Sequence, residues 1–288
     1  MLRRELLATL AACVVGRARG SASLEPFFES RDGAGIMLDV RSRRVIAIHA
    51  AAVAGRFLAP PGSTLKPFVL ATLLRSGKLT ATESLLCPGR LTIGGRSFDC
   101  SHPRFDSPMR VETALAYSCN CFVARVAERF APGELPGELA RAGFSSPTGL
   151  VDSGEASGRI RPAADRDAVR LLALGEEGIL ITAAELAMAF RALALQAGRA
   201  EMQAIVAGLE GAVEYGTAQR AGVPGVKVAG KTGSVRTESG APIAWFAGFL
   251  PSRAPEVVVT VMLQGHSGGS DAAPITGRIL EAYRAGRL

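Results

Sequence analysis

The stretch from Gly225 to Gln264 reads GVKVAGKTGSVRTESGAPIAWFAGFLPSRAPEVVVTVMLQ. Three apolar, β-branched and aromatic runs of strand length stand out in it: Val226–Val235, Ile243–Leu250 and Val257–Gln264. Towards the N-terminus, Ile36–Val40 and Val45–His49 flank Arg41-Ser42-Arg43-Arg44 and read as a hairpin. Between these ends the pattern is helical. Thr64–Ser76 has helical apolar spacing and is stopped by Gly77, and Val111–Tyr117, Cys121–Phe130 and Ala183–Gln196 repeat apolar residues at i, i+3 and i+4. Gly149–Arg166 is rich in Gly, Ser and Pro and reads as a long loop, and Ile275–Ala285 is a closing helix. Strands at both ends with helices between them predict an α/β fold of the α+β type: one antiparallel sheet built from both chain ends, covered by helices, with an inserted helical block. No linker or repeat divides it, so residues 23–288 are expected to form one domain behind a segment 1–22.

Two familiar motifs occur inside these strands and turns without their contexts. Gly225–Thr232 satisfies the phosphate-loop pattern, but its Val-Lys-Val-Ala interior favours extended chain, and no helix start follows. Gly265-His266-Ser267-Gly268-Gly269 matches a nucleophile elbow. That motif needs an acid and a His downstream, and no His follows, so Ser267 reads as a turn residue.

The chain has 288 residues, a 48% hydrophobic fraction and a net charge of +7, which excludes a disordered chain. Its basic residues are dispersed, and nothing resembles a nucleic-acid-binding motif, so no nucleic-acid partner is expected. Residues 1–22 read as an export segment: Arg3 and Arg4, an apolar run Leu6–Gly16 too short to span a membrane, then small residues at Ser21 and Ala22. Leu10-Ala11-Ala12-Cys13 is similar to a bacterial lipobox, with cleavage after Ala22 as the rival. In an exported chain Cys87 and Cys100 could close a small disulfide ring, stabilising by about 3 kcal/mol. Cys119 and Cys121, two apart, would not face each other on a helix, and His102 is isolated in sequence, so no metal site is expected.

Three elements carry chemistry. Pro60-Pro61-Gly62-Ser63-Thr64-Leu65-Lys66-Pro67 places Ser63 at a helix start with Lys66 three residues on, where an amine can activate the hydroxyl. Ser118-Cys119-Asn120 presents a hydroxyl and an amide from one short turn, able to pass a proton and hold a substrate amide. Lys231-Thr232-Gly233-Ser234 opens a strand whose cation and hydroxyls suit a carboxylate, and whose Gly233 lets a ligand lie alongside. Composition sharpens the case. Only Lys66, Lys78, Lys227 and Lys231 are lysines among 33 basic residues, and Asn120 is the single asparagine. Arg is never deprotonated, so it cannot be a base at position 66, and its fork is unlike an ammonium at 231.

Read in order, S-x-x-K, S-x-N and K-T-G resemble the signature of penicillin-binding proteins and serine β-lactamases. Over most of residues 33–285 the chain resembles a penicillin-binding transpeptidase domain: its opening hairpin, Gly216-Thr217-Ala218, Ala244-Trp245-Phe246-Ala247-Gly248-Phe249 with Pro251, and Ile179-Leu180-Ile181-Thr182 are similar to the family's. Glu176-Glu177-Gly178 departs from the family's usual Gly-Gln-Gly-like turn, and no pedestal, polymerase or membrane helix precedes the catalytic part. The resemblance implies a cofactor-free, exported D,D-transpeptidase of peptidoglycan stem peptides, acting through a Ser63 acyl-enzyme and inhibited by β-lactams, with a glycan polymerase or wall-remodelling enzyme as a partner. Ser63 would attack, Lys66 take the proton, Ser118 relay it, Asn120 bind the acyl-side amide, and Lys231, Thr232 and Ser234 hold the carboxylate. D,D-carboxypeptidase, serine β-lactamase and a penicillin-sensing ligand domain are the alternatives. A class A deacylating Glu-x-x-Leu-Asn segment cannot exist with the only Asn at 120.

Overall fold

The structure, a computed structural model, describes residues 20–151 and 154–288. Cys13 and the apolar run before it lie outside the described residues. The strands are β1 Ala22–Ser23, β2 Gly33–Asp39, β3 Val45–His49, β4 Arg90–Ile93, β5 Arg96–Asp99, β6 Arg159–Ile160, β7 Ile179–Leu180, β8 Ala229–Arg236, β9 Pro242–Leu250 and β10 Val257–Gln264. Six of them form one sheet in the order β1-β3-β2-β10-β9-β8. The two chain ends meet in its middle, where β2 pairs antiparallel with β10 and sets Ile36 opposite Thr260. The sheet is antiparallel as expected, except that β1 joins β3 in parallel.

Alternation along β10 explains why this sheet is covered on both faces. Val257, Val259, Val261 and Leu263 point to one side, into a core with Leu24, Phe28, Ile275 and Ile279. Val258 and Met262 point to the other, into the larger core shared with Trp245, Phe249 and the helical block. The helix Ala183–Ala194 lies on that second face, against β2, β9 and β10. A reciprocal cap starts it: Thr182 Oγ1 accepts from Glu185 N at 3.1 Å, and the Glu185 carboxylate accepts from Thr182 N at 2.8 Å.

Several boundaries and elements differ from the sequence reading. The strand expected from Val226 begins at Ala229, because Val223 and Val226 close a bridge around Pro224-Gly225. The helix Gln203–Glu214 was not expected: Ile205, Val206, Gly208 and Gly211 are weak helix formers. Tertiary fit overrides propensity there, since a Cβ on Gly208 would stand 2.7 Å from Leu115 Cβ on the helix Val111–Ala116. The small hairpin β4–β5 and the helix Arg166–Ala173 were also unread, and the long loop after Gly149 carries the short strand β6, paired with β7.

Candidate active site

Ser63 does not sit on the α-helix itself. It lies on a 3-10 turn, Gly62–Leu65, that feeds directly into the helix Lys66–Arg75. Three residues complete a 3-10 turn, so Ser63 and Lys66 are stacked, with Lys66 N donating to Ser63 O. Pro67 is accommodated in the first turn, where its missing N–H costs nothing. Close approach fixes this turn from both sides. Gly62 N donates to Gly175 O at 2.9 Å, and a Cβ on Gly175, at φ +70°, would lie 2.2 Å from Gly62 O. On the opposite side a Cβ on Gly62 would be 3.5 Å from Ser234 N, so the Ser63 turn faces the third motif. Trp245 Nε1 donates to Pro60 O at 2.9 Å and ties β9 to the approach segment.

The Lys66 side chain is wholly buried. Its Nζ donates to Ser118 O at 2.8 Å, Ser118 Oγ at 3.2 Å and Asn120 Oδ1 at 2.6 Å. Ser118 adopts the left-handed conformation, φ +57°, uncommon for a non-glycine residue and typical of a turn held by its surroundings. This bend carries the chain off the helix Val111–Ala116 and delivers both Ser118 and Asn120 to one amine. The Asn120 carboxamide is shared, since Nδ2 donates to Asp99 O at 3.0 Å, leaving its second N–H free for a ligand carbonyl.

Lys231 is also wholly buried, within β8, and donates to Thr232 O at 3.1 Å. Thr232 Oγ1 donates to Thr217 Oγ1 at 2.8 Å, and Ser234 Oγ accepts from Gly268 N at 2.9 Å. A Cβ on Gly233 would come 2.7 Å from Pro61 O, so β8 packs directly on the Ser63 turn. All eight residues singled out from the sequence therefore converge on one site. Lys231 in mid-strand matches the rejection of the phosphate loop, and Ser267 caps a turn of π-helix, Gly268–Ala272, by accepting from Ser270 N.

Two buried cations in one site are electrostatically expensive, and both titrate accordingly. Burial brings the Lys66 pKa down to about 8, against a partial opposing pull from neighbouring thiols and Glu176. Burial, and then the charge of Lys66, hold Lys231 well below the ordinary lysine range. Burial pushes the Glu176 carboxyl up, opposed by Arg96 and Lys66. Glu176, Thr217, Asp99 and Arg96 were given no site role from the sequence. Beyond Ser234 a groove of about 690 Å³ opens, lined by Arg96, Arg159, Arg161, Arg236 and Glu176.

His102, isolated in sequence, is not isolated in the fold. Cys119 is the N-cap of the helix Asn120–Ala127 with extended backbone, so helical spacing does not govern where its thiol points. Cys87, Cys100, Cys119 and Cys121 are free thiols that meet beside the S-x-N turn, and His102 joins them.

A lysine tuned towards neutrality beside a serine on a helix start, with a second serine and an amide on the same amine, is equipped for acyl transfer. The family model described as the penicillin binding protein transpeptidase domain matches residues 50–281. The chain belongs to this family. Among curated relatives of the transpeptidase family, the probable peptidoglycan D,D-transpeptidase PbpC of Pseudomonas aeruginosa is 28% identical over 261 residues, 76% of this chain and 45% of that protein. The peptidoglycan D,D-transpeptidase PbpA of Mycobacterium tuberculosis is 25% identical over 274 residues, 79% of this chain and 55% of its own length. The chain thus spans about half the length of these relatives. The transpeptidase fold is shared with the apo TP domain of Burkholderia pseudomallei penicillin-binding protein 3, at TM-score 0.81 and 23% identity over 92% of both chains. It is shared too with Pseudomonas aeruginosa PBP2 in complex with WCK 5153, at TM-score 0.80 and 22% identity over 90% of this chain and 75% of that one. No helix among the described residues is long and apolar enough to cross a membrane.

Proposed function

We propose that this chain is a peptidoglycan D,D-transpeptidase that acts on D-Ala-D-Ala stem peptides through a Ser63 acyl-enzyme and is acylated by penicillins. The observation that carries the reading is the buried Lys66 amine, one short turn from Ser63 and bonded to both Ser118 and Asn120. Ser63 Oγ attacks the carbonyl of the penultimate D-Ala while neutral Lys66 accepts its proton. Negative charge on the carbonyl oxygen is taken by the N–H groups of Ser63 and Ser234, contacts whose loss typically costs about 3 kcal/mol in barrier. Ser118 passes the proton from Lys66 to the departing D-Ala amine, which leaves an ester on Ser63. An acceptor amine on a second stem peptide then breaks that ester and regenerates the serine. Asn120 holds the acyl-side amide, and Lys231, Thr232 and Ser234 hold the terminal carboxylate.

Export is part of the reading. Ala22 and Ser23 form strand β1, so cleavage after Ala22 would cut the sheet, which favours processing upstream, at the lipobox Cys13. The enzyme would then work at the cell surface or in the periplasm beside a glycan polymerase or wall-remodelling enzyme. The test is incubation with a D-Ala-D-Ala pentapeptide and a D-amino-acid acceptor. Acceptor-exchanged product supports transpeptidation, hydrolysed tetrapeptide alone moves the assignment to carboxypeptidase, and no conversion contradicts both.

A further inference from the structure

We propose that Cys87, Cys100, Cys119 and His102 form a tetrahedral zinc site that clamps the S-x-N turn to the β4–β5 hairpin. The ligand atoms of these four residues all lie within 4.8 Å of one another. Cys87 and Cys100 sulfurs are 3.7 Å apart, Cys100 and Cys119 3.8 Å, and Cys119 and Cys87 3.4 Å. Three thiolates at about 2.3 Å from one zinc ion define tetrahedron edges of about 3.8 Å, so these sulfurs already stand close to that spacing.

The histidine supplies an independent observation. His102 Nδ1 lies 2.7 Å from Pro103 O, which can only accept, so Nδ1 carries the proton and Nε2 carries the lone pair. That Nε2 is buried and has no hydrogen-bond partner among the described residues. A bare, buried imidazole nitrogen whose other nitrogen is anchored to a carbonyl is the usual form of a zinc-ligating histidine. Stacking fixes the ring, with His102 5.4 Å from Phe105 and 6.3 Å from Tyr117 between centroids. Two sulfurs also receive outer support: Gly89 N donates to Cys87 Sγ at 3.3 Å and Phe122 N to Cys119 Sγ at 3.4 Å. Cys121 lies 3.6 Å from Cys100 and stays outside the ligand set.

Metal binding releases the three thiol protons to solvent and leaves the neutral imidazole unchanged. What it clamps matters, because Cys119 stands between Ser118 and Asn120, and Cys100 follows the Asp99 carbonyl that anchors Asn120. The ion would join the two segments that aim Ser118 and Asn120 at Lys66.

The full chain, purified under reducing conditions with added zinc, should carry one zinc per molecule by elemental analysis. X-ray absorption at the zinc edge should show three sulfurs at about 2.3 Å and one nitrogen at about 2.0 Å. His102→Gln and Cys87→Ser should each weaken zinc retention against a chelator at least 100-fold, and Cys121→Ser should leave it unchanged. A metal-free protein with native mass lower by two or four hydrogens would replace the site with disulfides and overturn the proposal. Metal-free reduced protein after zinc addition, or a four-sulfur shell lost in Cys121→Ser, overturns it equally. These readouts stand whatever the chain acylates.

Discussion

Lys66 Nζ donates to Asn120 Oδ1 at 2.6 Å, and the same carboxamide reaches Asp99 O through Nδ2. A neutral acceptor at that position holds the amine without charging it. Asn120→Asp keeps the shape but places a carboxylate against the amine, which should raise the Lys66 pKa by about 1–3 units. Penicillin acylation at pH 7 is expected to fall about 10- to 1000-fold, with recovery at alkaline pH. A pH profile of acylation with an unmoved midpoint would refute this use of Asn120.

The Lys66 pKa of about 8 sets the pH dependence of the wild-type chain. The base form is the neutral amine, so its fraction rises with pH and saturates above the pKa. Acylation should therefore rise about tenfold per pH unit below pH 8 and level off above it. Lys66→Arg removes any accessible neutral form and should abolish acylation. Stopped-flow acylation across pH 6–10 checks both; a flat profile, or an active Arg variant, speaks against the base role.

Gly175→Ala should disturb the serine by contact as well as by strain. Its Cβ would stand 2.2 Å from Gly62 O, whereas one on Gly77 would meet nothing within 4 Å, at nearly the same φ of +69°. Gly77→Ala is expected to lose about 1 kcal/mol from backbone strain alone and to acylate normally. Gly175→Ala should lose more than 2 kcal/mol and at least tenfold in acylation rate. Thermal melts paired with acylation rates separate the two, and equal behaviour of the variants would contradict the close-contact argument.

Trp245→Phe tests the tie between β9 and the approach to Ser63. The variant keeps most of the buried ring volume but leaves Pro60 O without its 2.9 Å partner. A loss of about 1–2 kcal/mol is expected in denaturant titration. No loss would mean that Pro60 O finds another donor.

The sheet and the grouping of the eight candidate residues were legible because each rests on local chemistry: β-branched runs announce strands, and lysine, unlike arginine, can lose its proton when buried. The helix Gln203–Glu214 was not legible, because Gly208 is required by the neighbouring Leu115 and Gly211 by Tyr215 and Ala116, rather than by helix formation. Glu176 and Asp99 reach the site through folding alone. The cysteine cluster escaped for a similar reason. Helical spacing does not govern Cys119, whose extended N-cap backbone turns its thiol towards segments 17–32 residues earlier in the chain.

The central claim is that Ser63 is the acylated nucleophile, and intact-mass spectrometry after exposure to a penicillin tests it most directly. The account predicts one long-lived adduct of the full drug mass, mapped to Ser63 and absent from Ser63→Ala. An unmodified chain, or an adduct that persists in Ser63→Ala, would contradict it.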